Sequence, residues 1–184
     1  MNSKRGFSLV ELIFVMILVG IMASIAAPLF SPGRWRADNA VQEVVLGLNA
    51  AQRLAVLKQH DIHVTFMVDE RRVRLHEDSN NDGDIDTGEN WRIIDLPETI
   101  AFSIGSAPKL REGNPPISFD SGSGDPVLTF HRNGSASKSG VVYLRPVQGD
   151  MAASPEAVRA LTVERATGEV ACHSYRTGAW EFSC

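Results

Sequence analysis

Two stretches of this 184-residue sequence carry side chains whose types and spacing suit a chemical role. The first is an acidic run, residues 78–89, in which carboxylate and amide side chains recur around Gly83. Its spacing satisfies the twelve-residue calcium-loop pattern, in which oxygen ligands follow at fixed intervals and a glycine permits a sharp turn. The candidate ligands are Asp78, Asn80, Asp82, Asp84, Asp86 and Glu89.

The role of this acidic run stays open between a cation site and a solvated turn. Asp84 would offer its backbone carbonyl, Asp86 would act through water, and Glu89 would bind with both oxygens. However, the flanking residues alternate as strands do, and Asn, Asp and Gly are ordinary turn formers. Calcium is therefore a candidate structural cofactor, with an affinity of roughly 10⁻⁴–10⁻³ M as in extracellular modules.

The second stretch is an apolar segment that has a single carboxylate, Glu11, at its amino-terminal end. Residues 12–30 contain no charged side chain. At about 1.5 Å per residue of helix they span roughly the 30 Å hydrocarbon core of a bilayer. An unpaired carboxylate there costs about 2.5–3.5 kcal/mol on insertion scales. The sequence therefore predicts that Glu11 has a partner.

Three interpretations of this amino-terminal segment are open. Lys4 and Arg5 precede it, so the positive-inside rule places the amino terminus in the cytoplasm and the residues after 30 on the far side. A secretory signal peptide or a simple anchor for a periplasmic domain would explain the basic start and the apolar stretch. Against a signal peptide, the stretch is long, Glu11 interrupts its head, and Pro28 follows the candidate cleavage point at Ala27.

The third interpretation is a resemblance to type IV prepilins. Residues 6–11, Gly-Phe-Ser-Leu-Val-Glu, closely resemble the site cut by prepilin peptidase, and Pro28 falls where that family commonly has a helix-kinking proline. The resemblance implies that residues 1–6 are removed after Gly6 and that the new amine of Phe7 is methylated. It also implies that Glu11 pairs with the amino terminus of a neighbouring subunit in a fibre.

Composition sets limits on the compartment and on the partners. The formal net charge is −4, and loss of Lys4 and Arg5 makes the mature chain two units more negative, so a broad basic footprint for nucleic acid is absent. The two cysteines, Cys172 and Cys184, stand near the carboxyl end. Outside the cytoplasm a disulfide between them is permitted, and its loop of about twelve residues would contribute roughly 3 kcal/mol; two free thiols are the alternative.

Hydrophobic periodicity predicts one helix followed by many strands. Residues 37–59 repeat apolar side chains every three or four positions, which predicts an amphipathic helix that packs on a sheet. Alternation then predicts strands, and Gly, Pro and Ser predict long exposed loops at 105–125 and 148–155. The predicted strands are 62–68, 72–77, 91–96, 100–104, 127–130, 141–144, 161–165, 170–174 and 180–182, with a hairpin turn at 166–169.

These elements predict an α+β, pilin-like fold, with a long amino-terminal helix packed on an antiparallel β-rich head. The chain resembles the GspH/FimT group of minor pilins and pseudopilins in its 78–91 loop, its 128–134 and 141–144 segments, and its Thr167-Gly168 hairpin. The predicted division is a leader at 1–6, a membrane and polymerisation helix at 7–30, its amphipathic continuation at 31–60, and the head at 61–184.

This resemblance implies a non-enzymatic subunit of a type IV pilus, anchored in the inner membrane with its head in the periplasm. Its partners would be prepilin peptidase and other major and minor pilins or pseudopilins. A type II secretion pseudopilin is the alternative, and the acidic run and terminal cysteines favour the pilus. No catalytic constellation is evident in the sequence, because Ser135 and Lys138 match a Ser-x-x-Lys element without its companion motifs and the histidines are scattered.

A second class of function is DNA binding during DNA uptake. In FimT-type proteins this function is associated with a basic carboxyl-terminal segment that has a Gly-Arg pair. Here Gly168 is followed by Glu169, and the arginines at 159, 165 and 176 are offset by glutamates at 164, 169 and 181. Because phosphate contacts need uncompensated positive charge, the sequence argues against DNA as a partner.

Overall fold

The computed structural model describes residues 8–26, 32–84, 86–119, 124–149 and 152–182. The chain divides into two compact units, Met1–Pro32 and Gly33–Cys184. The predicted domain boundaries are not tested by this division and stay predictions.

The first unit contains helix α1 (Leu9–Ala26), whose apolar residues continue around the whole helix. The amide of Leu12 donates to the carbonyl of Ser8 at 3.1 Å and begins the helix. No helix within the described residues is both long and apolar enough to cross a membrane. The predicted apolar segment runs on to residue 30, and its last part, with Pro28, lies outside the described residues.

Helix α2 (Pro32–Lys58) follows, and all of its residues except Pro32 belong to the second unit. Proline suits the first turn of a helix because its missing N–H would have no partner there. The predicted apolar stripe is buried, which confirms the amphipathic helix. Its fully or almost fully buried members are Ala37, Ala40, Val41, Val44, Leu48, Ala51 and Ala55.

Two antiparallel sheets follow α2, with strand orders β3-β2-β1-β5 and β4-β6-β7-β8-β9. Each predicted strand is present with bounds shifted by a few residues at most, which confirms the α+β class. The strands are β1 (Asp61–Met67), β2 (Arg72–Asp78), β3 (Trp91–Asp95), β4 (Ile100–Phe102), β5 (Val127–Phe130), β6 (Gly140–Pro146), β7 (Arg159–Val163), β8 (Val170–Arg176) and β9 (Ala179–Phe182).

Helix α2 and both sheets share one hydrophobic core. Phe66 of β1 lies near its centre, edge-on to Phe102 with ring centroids 6.2 Å apart and stacked on Phe119 at 5.6 Å. Such aromatic pairs contribute about 0.5–1.5 kcal/mol beyond the area that they bury. The sheets are thus held together through their facing side chains.

The prediction that residues 105–125 form an exposed loop is wrong for part of that range. Ala107, Ile117 and Phe119 are buried. A second apolar cluster on the other face of the five-stranded sheet contains Ala107 with Val141 and Tyr143 of β6. The Tyr143 hydroxyl also accepts the Leu110 amide at 2.8 Å. Gly, Pro and Ser correctly indicate irregular backbone here, but irregular backbone that covers a sheet face is not exposed.

The side chain of Gln52 on α2 forms hydrogen bonds to two turns that lie far apart in the sequence. Its Nε2 donates to the carbonyl oxygen of Gly134 at 2.9 Å and to that of Thr167 at 2.7 Å. Gly134 belongs to the turn after β5, and Thr167 to the predicted hairpin turn between β7 and β8. This contact holds the two glycine-containing turns against α2.

Candidate functional site

Glu11 lies in the first turn of α1 and its side chain is exposed. No described residue forms an ion pair with it. Gly6 and Phe7, the predicted cleavage and methylation residues, lie outside the described residues, so the predicted roles of all three stay predictions.

The apolar surface of α1 is exposed along its length. Every described side chain from 8 to 24 is exposed, including Leu9 at 73%, and Glu11 is the one charged residue among them. Exposed apolar patches of this extent mark membrane or protein contacts in soluble domains, because leaving them in water is costly. The first unit therefore needs an apolar environment.

The acidic run connects β2 to β3 and returns to the sheet at both of its ends. Asp78 and Glu89, its first and last residues, have side chains only 2% and 4% exposed. His63 Nε2 lies 3.0 Å from Asp78 Oδ2, and His76 Nε2 lies 2.7 Å from Glu89 Oε2. The two imidazole rings stack with centroids 6.1 Å apart. Two neighbouring histidines thus hold both ends of the run.

Backbone amides complete the hydrogen bonding of these two carboxylates. Asp78 accepts the amides of Asp82 and Gly83. Burial alone would raise the pKa of Asp78, but the hydrogen bonds from His63, Gly83 and Asp82 bring it below its ordinary value. The Asp86 amide, opposed by burial and assisted by the Ser79 amide and His76, lowers the pKa of Glu89 to about 2. Both ends of the run therefore stay ionised.

The remaining candidate calcium ligands are exposed and bond to one another. The Asn80 side-chain amide donates to Asp82 at 2.7 Å and to Asp86 at 2.9 Å, and Asp82 accepts the Asp84 amide at 2.9 Å. Within the described residues no group of three or more His, Cys, Asp or Glu side chains is arranged to hold a metal ion. The described geometry is that of a turn held by its own polar groups, and calcium stays a sequence-based prediction.

Replacing Glu89 with glutamine should remove an acid-sensitive part of the stability of the head. The folded-state pKa of about 2 lies below the ordinary value of 4.5. The stabilisation from the charged carboxylate is therefore complete above about pH 4.5 and is lost as the pH falls towards 2. The free-energy difference between wild type and Glu89→Gln, from urea unfolding, should be largest near neutral pH and shrink below pH 4.5.

Glu70→Gln supplies the control, because the Glu70 side chain is 52% exposed and its contact is an ion pair with Arg72. Exposed pairs of this kind contribute about 0–1 kcal/mol. Its unfolding curve should follow the wild type at each pH. A Glu89→Gln deficit that stays constant from pH 7 to pH 2 would show that the charge of Glu89 is not what stabilises the run.

The amino-terminal segment matches a family of known proteins. Residues 1–27 match the family described as the prokaryotic N-terminal methylation motif. The chain carries a prepilin-type methylation motif. This match confirms the motif predicted from residues 6–11. No curated protein matches the sequence.

The structure is also similar to two solved structures of the minor pseudopilin EpsH from the type II secretion system of Vibrio cholerae. Sequence identity is 17% with both. The first similarity covers 76% of this chain and 97% of that chain with a TM-score of 0.49. The second covers 76% and 94% with a TM-score of 0.48.

The predicted disulfide is described at one of its two cysteines. Cys172 lies in β8, is 8% exposed and is disulfide-bonded. Cys184 lies outside the described residues, so its pairing with Cys172 stays a prediction.

One of the three carboxyl-terminal arginines is buried in the head. Arg159 is 2% exposed and its Nε donates to Asp38 at 2.6 Å, so it is not available to a phosphate. The neighbouring Arg111 pairs with Glu164. The absence of DNA as a partner stays a prediction from the sequence.

The histidines look scattered in the sequence, but His63 and His76 are paired in the structure. The two positions are equally distant from the turn at Asp69 and Glu70, and they are opposite each other in the β1–β2 pair. Antiparallel strands joined by a short turn place such positions side by side. Counting outward from the turn would have brought the two imidazoles together.

Proposed function

We propose that this protein is a minor pilin, a non-enzymatic subunit that prepilin peptidase cuts after Gly6 and that then assembles into a type IV pilus. The methylation motif at residues 1–27 carries the proposal. In the proposed precursor the amino terminus is cytoplasmic, α1 is anchored in the inner membrane and the head is periplasmic, with the predicted divisions at 6, 30 and 60.

The surface of α1 supports this function physically. A helix that is apolar all round needs a lipid or protein environment, and a fibre made of such helices provides one after extraction from the bilayer. Glu11 is costly in either setting unless a positive group is close. The methylated amine of Phe7 on a neighbouring subunit is such a group, and the pairing would favour subunits in the correct register.

The head supports a structural role. Some of its described charged groups hold the fold, among them the carboxylates of Asp78 and Glu89 and the buried Arg159. We assign the subunit to a pilus because of the acidic run and the terminal cysteines; a pseudopilus of type II secretion is the alternative. Counting the subunit in sheared pili, against assaying secretion in a deletion strain, separates the two.

Glu11→Ala should spare membrane insertion and processing but reduce incorporation into the fibre several-fold. The variant keeps residues 4–7 and the apolar helix, so peptidase and bilayer meet the same segment. What it removes is the carboxylate that pairs with the next subunit. Intact-mass spectrometry should find the same mature chain, starting at methylated Phe7, for wild type and variant. Immunoblots of sheared fibres should then show the loss of the variant.

Glu43→Ala is the matched control, because Glu43 is an exposed carboxylate on α2, outside the motif. It should be processed and incorporated like the wild type. Normal incorporation of Glu11→Ala would overturn the pairing, whereas a mature chain that keeps Met1 or starts near Pro28 would overturn the pilin function itself.

A further inference from the structure

A polar cleft of about 310 Å³ opens on the four-stranded sheet beside the acidic run. Arg74, His63, His76, Thr65 and Asp125 are among the residues that line it. The intervening residues of the same strands, such as Val64 and Val73, point into the core. The cleft therefore lies on the face of the sheet that is turned away from the core.

Arg74 is the unusual member of this cleft. It stands opposite Thr65 of β1 and Ile93 of β3, neither of which carries a charge. Its Nε is buried and has no hydrogen-bond partner, and no described carboxylate forms an ion pair with it. A buried donor of a charged group without an acceptor destabilises the fold. Such a group is tolerated more readily when a ligand supplies the acceptor.

Arg72, two residues earlier on the same strand, shows the ordinary arrangement. Its Nε donates to Asp95 at 2.7 Å and its Nη1 to Glu70 at 3.2 Å. Within the described part of the chain, one arginine of this strand thus contacts carboxylates and the other does not. The difference points to a carboxylate from elsewhere as the partner of Arg74.

The charges around the cleft restrict the ligand further. The carboxylates of Asp78 and Glu89 are already engaged by His63, His76 and backbone amides. Asp125 is the acidic residue that lines the cleft, and it opposes a ligand of high negative charge. A guanidinium binds a planar carboxylate through two parallel hydrogen bonds, and a singly charged group is repelled by Asp125 less than phosphate is.

We propose that the Arg74 cleft binds one carboxylate group, with the Arg74 guanidinium as its main partner. The carboxylate is carried either by an Asp or Glu side chain of another protein or by a free organic acid. The cleft, with a volume of about 310 Å³, has room for such a group.

The Nε–H resonance of Arg74 provides a direct test. The full chain, labelled uniformly with ¹⁵N and held in detergent, is titrated with sodium acetate and with the capped peptide N-acetyl-Gly-Glu-Gly-amide, against sodium chloride at matched ionic strength. Arg74→Gln identifies the signal by its loss. Saturable shifts with either probe support the proposal. Tighter binding of the peptide indicates a protein source, and tighter binding of acetate a free acid.

Three variants, Arg72→Gln, Arg74→Gln and Asp125→Asn, make the outcome of the titration decisive. Arg72→Gln, the matched control, should bind as the wild type does, whereas the shifts that other cleft residues show on titration should weaken at least about tenfold in Arg74→Gln. Asp125→Asn should tighten binding about threefold, because it removes a like charge. The proposal is overturned if chloride reproduces the shifts, if no shift saturates, or if Asp125→Asn weakens binding.

Discussion

Replacing Gly168 with alanine should destabilise the head by at least about 3 kcal/mol, through left-handed strain together with a steric clash. Gly168 has a φ of 65°, where a side chain is strained. A Cβ built there would also lie well inside contact distance of the Gly134 carbonyl oxygen and the Gln52 Nε2. Since Gln52 bonds to both turns, either α2 or a turn must move away, and the contact between the sheets weakens.

Gly178→Ala separates the two causes. Gly178 has a similar φ of 86°, but nothing lies within 4 Å of the position that a Cβ would occupy. Its free energy of unfolding should fall only by the cost of the left-handed conformation, about 1–2 kcal/mol. Both variants are to be compared with wild type by urea unfolding of the full chain in detergent. Equal losses would mean that the close approach of Gln52 and Gly134 contributes nothing.

The turn at Gly168 shows which features can be predicted from the sequence and which cannot. Thr167 and Gly168 predict a hairpin turn, and the structure has one, because a turn depends on local backbone preferences. The reason for the glycine is non-local, however. It is a side chain from a helix more than a hundred residues earlier, and local propensity contains no information about that contact.

The same distinction between local and non-local interactions explains the outcomes of the other sequence predictions. The stripe of α2 and the alternation of β1 depend on periods of 3.6 and 2, so their elements follow from the sequence. That Phe119 covers a core depends on where irregular backbone crosses a sheet, which periodicity does not encode. In the candidate site, the ends of the acidic run could be predicted, but the histidines that hold them required the strand register.

Asp38→Asn should cost the head about 2–3 kcal/mol, because it leaves the Arg159 guanidinium buried without a counter-charge. The Arg159 side chain is 2% exposed. Its Nε donates to Asp38 at 2.6 Å, and its Nη1 donates to the carbonyls of Glu156 at 2.9 Å and Val158 at 3.1 Å. Asp38 itself is 42% exposed, so water replaces part of the lost charge, and the figure lies below that for a fully buried pair.

Arg159→Met in the Asp38→Asn background tests this explanation. If the cost comes from an uncompensated buried charge, removing that charge should restore most of the lost stability, since methionine fills similar space without a charge. The double variant should therefore be more stable than Asp38→Asn alone, a coupling that thermodynamic cycles resolve above about 0.5 kcal/mol. Asp95→Asn, which breaks the exposed pair with Arg72, should change stability by about 1 kcal/mol or less. Additive losses in the double variant would instead mean that the shape of Arg159, rather than its charge, joins β7 to α2.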